Sequence, residues 1–213
     1  MRRLGILAFA IAAIGFTKAE ATPIYFTHQG TATVTIGSGD PVVLDYRIEA
    51  RGQIESRQSL SGGSVLSIEH EYATIFTPGV GPGEFFYIVS PTRTLVDVIT
   101  GAVAFARGGD AGSSLITSSA DLAYQTWTMD TSIGPVAGTA TYDTWDDAPP
   151  IEVILAGEGG VMRFAPTTTA PYSLTATVVP EPASCLLAGG LIAISFFARP
   201  VVRAKRALAE TIV

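Results

Sequence analysis

No asparagine occurs anywhere in the 213 residues, so the chain offers no Asn-X-Ser/Thr acceptor for N-linked sugar. Its one cysteine, Cys185, sits in an apolar run near the C-terminus, which excludes an intramolecular disulfide. Two histidines and that single cysteine argue against a His/Cys-ligated zinc centre. The Gly-x-Ser-x-Gly nucleophile elbow and the phosphate-binding loop are missing too. Between residues 22 and 178 there is no lysine; six arginines stand against sixteen Asp and Glu, a net charge of −10. Such a surface repels phosphate backbones and excludes nucleic acid as a partner, while favouring solubility outside the cell. Helical spacing is scarce as well, with no convincing stretch beyond two turns in this segment. Without crossover helices to join parallel strands, the sheets are expected to be antiparallel.

What the chain does have begins with apolar ends. Met1-Arg2-Arg3 opens the sequence, Leu4 to Phe16 form an apolar core, and Ala19-Glu20-Ala21 supplies the small-x-small pattern of a signal peptidase site. A helix over that core would span only ~20 Å, short of the ~30 Å hydrocarbon layer, so a signal peptide cleaved after Ala21 is expected, not a retained anchor.

From Thr22 the apolar spacing switches to period two, the mark of strands with one buried face. Val42, Leu44, Tyr46, Ile48 and Ala50 alternate with Val43, Asp45, Arg47, Glu49 and Arg51. A second strand carries Leu66, Ile68, His70, Tyr72, Thr74 and Phe76 on one face and Ser67, Glu69 and Glu71 on the other. Further strands are expected at 24–36, 85–89, 95–99, 102–106, 122–129, 139–142, 151–156, 161–164 and 172–178. Gly- and Pro-rich punctuation separates them, and Gly157-Glu-Gly-Gly160 marks a hairpin. About ten short antiparallel strands without internal repeat predict an all-β passenger domain over 22–178, a two-layer β-sandwich of jelly-roll type. A segment of this length buries a core without disulfide staples.

Three constellations carry potential chemistry. Glu69-His70-Glu71 projects two carboxylates from one strand face, with Cα atoms ~6.5–7 Å apart, and two such groups could divide acid and nucleophile roles in glycoside cleavage. This faintly resembles the acidic strand of jelly-roll beta-glucanases, but the third carboxylate is replaced by Ser67 or Ala73. The competing reading is a solvated face with His70 in the core or at its rim. Tyr142-Asp-Thr-Trp-Asp-Asp-Ala-Pro-Pro150 sets Trp145 beside Asp143, Asp146 and Asp147, an aromatic plate for a sugar ring or oxygen ligands for Ca²⁺. No EF-hand spacing supports the metal, and a Trp that plugs the domain edge is the plainer alternative; no metal or cofactor is expected. Trp127, in the predicted strand with Tyr124, reads as packing.

The C-terminal 35 residues are the most explicit. Pro180 and Pro182 hold Glu181 extended and stop any strand or helix. Sixteen uncharged residues, Ala183 to Ala198, would span ~24 Å as a helix, and snorkelling by Arg199 extends the buried part to about residue 202. Arg199, Arg203, Lys205 and Arg206 place that end in the cytoplasm and residues 22–178 outside the inner membrane. Ser184, Ala188, Gly189, Gly190 and Ala193 leave the helix approachable by another.

Val179-Pro-Glu-Pro-Ala-Ser, a short helix with Leu-Leu-Ala-Gly-Gly-Leu and a terminal basic cluster, in that order, resemble the PEP-CTERM sorting signal of Gram-negative bacteria over residues 179–208. Pro200 within the basic segment and the continuation Ala207–Val213 depart from the usual pattern. The resemblance implies recognition at Pro180, Glu181 and Pro182 by an exosortase, a membrane processing enzyme, with Arg199, Arg203, Lys205 and Arg206 as the cytoplasmic stop. It implies delivery to the envelope surface or outside, often among exopolysaccharide, and assigns no activity to residues 22–178. The function expected is therefore a non-enzymatic structural or adhesive component. A carbohydrate-binding module using Trp145, Asp146 and Asp147 is the alternative, and a glycan-active enzyme using Glu69 and Glu71 the third.

Overall fold

The computed structural model describes residues 21–78, 85–109, 114–143, 151–155 and 158–180. Strands form where the sequence alternates. In β1 (Pro23–Ile36) the side chains of Ile24, Phe26, His28, Ala32 and Val34 are buried, and in β2 (Val42–Gln53) those of Leu44, Tyr46, Ile48 and Ala50, while their neighbours face outward. The order continues β3 (Gln58–Leu60), β4 (Val65–Phe76), β5 (Phe85–Ile88), β6 (Thr92–Asp97), β7 (Ala102–Arg107), β8 (Ser114–Ser118), the single helical turn α1 (Leu122–Gln125), β9 (Ile133–Tyr142), β10 (Ile151–Leu155), β11 (Glu158–Phe164) and β12 (Thr167–Val178).

Every pairing is antiparallel, as the lack of crossover helices requires. The two separate layers of a sandwich are not what these pairings build. All twelve strands belong to one sheet, and eight of them close a ring in the order β4-β2-β1-β12-β9-β8-β7-β6, with β6 returning to β4. Closure leaves no free edge around that ring. A second ring shares its wall. β1 leaves β12 after Gly30 and pairs β11 from Val34, while β4 pairs β6 over Val65–Glu69 and β5 over Ala73–Phe76. With β10 joining β5 to β11, the strands β1, β2, β4, β5, β10 and β11 close as well. The long strands β1, β2 and β4 are thus the common ribbon of an eight-stranded barrel at one end and a six-stranded ring at the other.

The core follows that division. Phe26 packs edge-on against Trp127 toward one end, and at the other Tyr46, Tyr142 and Phe164 form a ring cluster with centroids 5.5–6.0 Å apart. Each such fully buried aliphatic or aromatic side chain contributes roughly 1.5–3 kcal/mol.

A β-bulge in β4 changes the expected facing of its second half. Arg51 of β2 is opposite Tyr72 and Gly52 is opposite His70, so Glu71 is the extra residue. Ile68 and His70 therefore point inward as alternation requires, but Tyr72 turns out to solvent and Ala73 and Ile75 take the inward positions. The bulge lies where β4 exchanges β6 for β5, bending the strand at the junction of the two rings.

The expected strand over 122–129 is instead α1 and a turn. Asp121 caps the helical turn by accepting a hydrogen bond from the Ala123 amide at 2.8 Å, which competes successfully with the β-prone residues that follow. Trp127 still packs, against Phe26 and Tyr124, and donates its indole N–H to the Thr131 carbonyl at 2.8 Å, but it does so from a connection and not from a strand. Arg57 ties the same connection down through the Thr128 carbonyl and Asp130. β9 starts at Ile133, ahead of the expected 139, and contains Gly134-Pro135. The hairpin at the Gly157–Gly160 cluster is present as β10 and β11, with Leu155 opposite Glu158. Among the described residues no helix is long and apolar enough to cross a membrane.

Candidate functional site

The centre of the larger ring is polar. His28 on β1, His70 on β4, Thr92 and Thr94 on β6, and Tyr172 on β12 point into it, each at an inward position of its strand. β1 and β6 are not neighbours in the sheet, so a bond between His28 and Thr94 crosses the barrel interior. His28 Nδ1 lies 2.7 Å from the Tyr172 hydroxyl and its Nε2 3.0 Å from Thr94 Oγ1. His70 Nε2 lies 3.0 Å from the same Thr94 Oγ1 and its Nδ1 2.9 Å from Thr92 Oγ1. Phe105 stands between the imidazoles, stacked on His70 at 5.7 Å and edge-on to His28 at 5.3 Å; Phe26 covers His70 at 5.5 Å.

The proton count of this chain is restrictive. Thr94 has one hydroxyl proton and two imidazole nitrogens to serve. Two neutral imidazoles give all four ring nitrogens a partner if the donors run in one direction: the Tyr172 O–H to His28, the His28 Nε2–H to Thr94, the Thr94 O–H to His70 and the His70 Nδ1–H to Thr92. The reverse direction works equally well. Burial agrees with neutrality. His28 is fully buried, and removal from water lowers its pKa from 6.5 to about 3. Burial, then the neighbouring His28, hold His70 well below its ordinary value. Burial also raises the Tyr172 phenol well above its usual range, with Tyr124 and Tyr142 adding to the effect. The arrangement links four strands by hydrogen bonds inside an apolar shell, which rigidifies a core when every member is satisfied.

The carboxylates beside His70 face the other way. Glu71 is half-exposed, with its Oε2 3.1 Å from Arg51 Nη1 and its Oε1 accepting a 2.7 Å hydrogen bond from Gln53. Glu69 accepts a long hydrogen bond, 3.4 Å, from the Gly109 amide. The bulge thus gives each carboxylate its own set of partners, and the imidazole between them belongs to the interior. Among the described residues no three His, Cys, Asp or Glu side chains converge as a metal site would need.

Trp145, Asp146 and Asp147 lie outside the described residues, as do Ala19, Glu181, Pro182, Arg199, Arg203, Lys205 and Arg206. Asp143, at the start of that acidic loop, is tied to β8 by its amide, which donates to the Leu115 carbonyl at 2.9 Å. Ala21 and Pro180 are exposed at the same end of the barrel: β1 begins opposite the end of β12, with Ile24 facing Val178, and the Val179 amide donates to the Pro23 carbonyl at 3.1 Å. Sequence reasoning passed over His28, Thr92, Thr94 and Tyr172. The available signal was His28 itself, a polar residue in phase with Ile24 and Phe26 on an inward face.

A second feature is on the outside. A shallow depression of about 470 Å³ lies where β1 and β12 part, edged by Gln29, Thr31, Asp45 and Ser173; Thr31 donates to Asp45 at 2.6 Å. Beyond it, the outer face of β2, β4 and β5 carries rings among charged pairs. Arg47 lies 5.2 Å over Phe76 and bonds Glu49 at 2.9 Å, and Phe85 meets Tyr87 edge-on at 5.4 Å. No family model matches the chain, and neither a curated protein nor a solved structure matches it.

Proposed function

We propose that this chain is an exported, C-terminally sorted protein whose barrel serves as a non-enzymatic structural or adhesive component of the envelope or extracellular matrix. The signal peptide at 1–21 and the tail at 179–213, with a membrane helix over about 183–202, provide the address in this reading. An exosortase-type enzyme acting at Pro180, Glu181 and Pro182 processes the tail while the precursor sits in the inner membrane with its barrel outside. The observation that carries the reading of the barrel is the destination of its buried polar groups. The imidazoles of His28 and His70 spend all four nitrogens on Tyr172, Thr94 and Thr92, cross-linking the strands in place of facing a reactant. The separate partners of Glu69 and Glu71 weigh in the same direction and against glycoside cleavage, which needs two carboxylates flanking one bond.

Replacing Pro180, Glu181 and Pro182 with alanine in the native host tests the address. Export is expected to continue while C-terminal maturation stops. Identical C-termini for variant and wild type by mass spectrometry would refute the sorting step.

A further inference from the structure

The outer face of the shared ribbon has an order of its own. Register places Ser173 of β12 beside Gln29 of β1, Gln29 beside Arg47 of β2, Arg47 beside Phe76 of β4, and Phe76 beside Phe85 of β5. These five outward residues form one row perpendicular to the strands. At ~4.8 Å between strands the row is about 19 Å long, and it runs from the depression beside Ser173 to the exposed ring of Phe85. Phe85 is 44% and Tyr87 59% exposed, and the next row but one adds Tyr25 and Tyr72 at 39% and 46% on either side of Arg51.

We infer that this row is a binding track for an uncharged linear polysaccharide; the inference rests on the matrix reading of the barrel. Charge selects the class of occupant. The two arginines of the face are already neutralised, Arg47 by Glu49 at 2.9 Å and Arg51 by Glu71 at 3.1 Å, so a polyanion finds no free cation there and meets a domain of net charge −10. Chemistry selects it further. The row places the hydroxyl, amide and ion-pair groups of Ser173, Gln29 and Arg47 at one end and the adjacent rings of Phe76 and Phe85 at the other, so the surface suits a ligand that presents both hydroxyls and C–H faces. A sugar chain does so at every residue, and an acyl-chain surface does not. Exposed tyrosine and phenylalanine provide wide contact area with few torsions to freeze, which is how aromatic side chains contribute most at binding surfaces.

The test is affinity electrophoresis of the full chain in mild detergent through gels containing hydroxyethylcellulose, xylan, dextran or alginate. Retardation by at least one neutral polymer is expected, with at least a fivefold weaker effect for Phe85→Ser/Tyr87→Ser and for Arg47→Ala, each checked for folding by near-ultraviolet circular dichroism. The outward variant Thr33→Ser, off the row, should bind like wild type. Absence of retardation by all three neutral polymers, retardation by alginate alone, or full binding by the folded double variant would each overturn the track. The sorting reading is judged separately by the mass of the C-terminus. A correctly matured protein that binds no neutral polymer would refute this inference and leave that reading standing.

Discussion

His28 and His70 share one hydroxyl: Thr94 Oγ1 lies 3.0 Å from the Nε2 atom of each imidazole. One proton cannot donate to both, so at least one imidazole donates its Nε2–H to Thr94, and the choice of donor at each ring is coupled to the roles of Tyr172 and Thr92. The two directions of the chain differ only in where every proton sits, while the heavy atoms stay in place.

The first consequence is a stability that depends on pH above the carboxylate range. Both histidines have folded-state pKa values below the unfolded value of 6.5, His28 at about 3 and His70 well below its ordinary value. The unfolded chain therefore binds more protons than the barrel as pH falls through 6.5, and stability falls with it. For His28 the loss between pH 7 and pH 4 is about 3 kcal/mol, from ~2.5 pH units at 1.36 kcal/mol each. Asp97 and Asp130, lowered mainly by hydrogen bonds to Thr100 and Thr128, add a loss of the same sign only below about pH 4. Urea midpoints at pH 7.5, 6.0 and 5.0 should decline steadily for the wild type. His28→Gln/His70→Gln should flatten that decline, and an unchanged slope would show that the imidazoles are not its source.

Removing the shared hydroxyl should cost more than removing a terminal one. Thr94→Val keeps the side-chain shape but strands one nitrogen of each imidazole in an apolar shell, a cost of about 2–6 kcal/mol at 1–3 kcal/mol per unsatisfied group. Thr92→Val strands one nitrogen of His70 alone and should cost about half as much. Thr94→Ser retains the hydroxyl and should stay within about 1 kcal/mol of wild type. Equal midpoints for the two valine variants in urea denaturation would mean that Thr94 serves only one histidine.

The strands β1 and β2 are legible from the sequence because each stays in phase from end to end, with Ile24, Phe26, His28 and Leu44, Tyr46, Ile48 all inward. Closure is not, because it depends on two strands that change partners. Nothing local in Val65–Phe76 says that its first half will meet β6 and its second half β5. The interior network was hidden for a related reason. Thr92 and Thr94 are in the first half of β6, before the apolar Leu95 at which alternation becomes visible, and an inward threonine looks like an outward one until its cross-barrel partner is known. Asp121 shows the opposite failure. Residues 122–129 alternate well enough for a strand, but Asp121, accepting a hydrogen bond from the Ala123 amide, starts a single helical turn over Leu122–Gln125 that leaves 126–129 as a connection.

The bulge makes an unusual prediction about deletion. With Glu71 removed, His70, Tyr72 and Ala73 become consecutive and alternate in, out, in, the facing each already has. The deletion should therefore preserve the core on both sides and lose mainly the exposed contacts of Glu71 with Arg51 and Gln53 together with the bend of β4. Inserting an alanine between Thr74 and Ile75 would instead turn Ile75 outward, and a one-residue slip of this kind reverses the facing of all that follows. The deletion variant should give a cooperative urea transition and native near-ultraviolet circular dichroism, and the insertion variant neither. If the deletion unfolds the barrel as completely as the insertion, the bend itself is essential to joining the two rings.

Gly30 marks the other branch point, where β1 leaves β12, and it makes a separate prediction. A Cβ there would stand 2.4 Å from the Pro171 carbonyl oxygen, 2.9 Å from the Tyr142 hydroxyl and 3.2 Å from that of Tyr46. The two hydroxyls, bonded to each other at 2.9 Å, can shift with their rings; the carbonyl belongs to β12, whose next residue, Tyr172, is paired with Gly30 itself. The backbone oxygen is thus the obstacle. Gly30→Ala should destabilise by about 1–3 kcal/mol, the usual cost of overpacking. Adding Tyr142→Phe removes an atom from the crowded side without moving Pro171, so the double variant should recover little. Full recovery of the urea midpoint in the double variant would mean that the tyrosine pair, and not the parting of β1 from β12, demands glycine at this position.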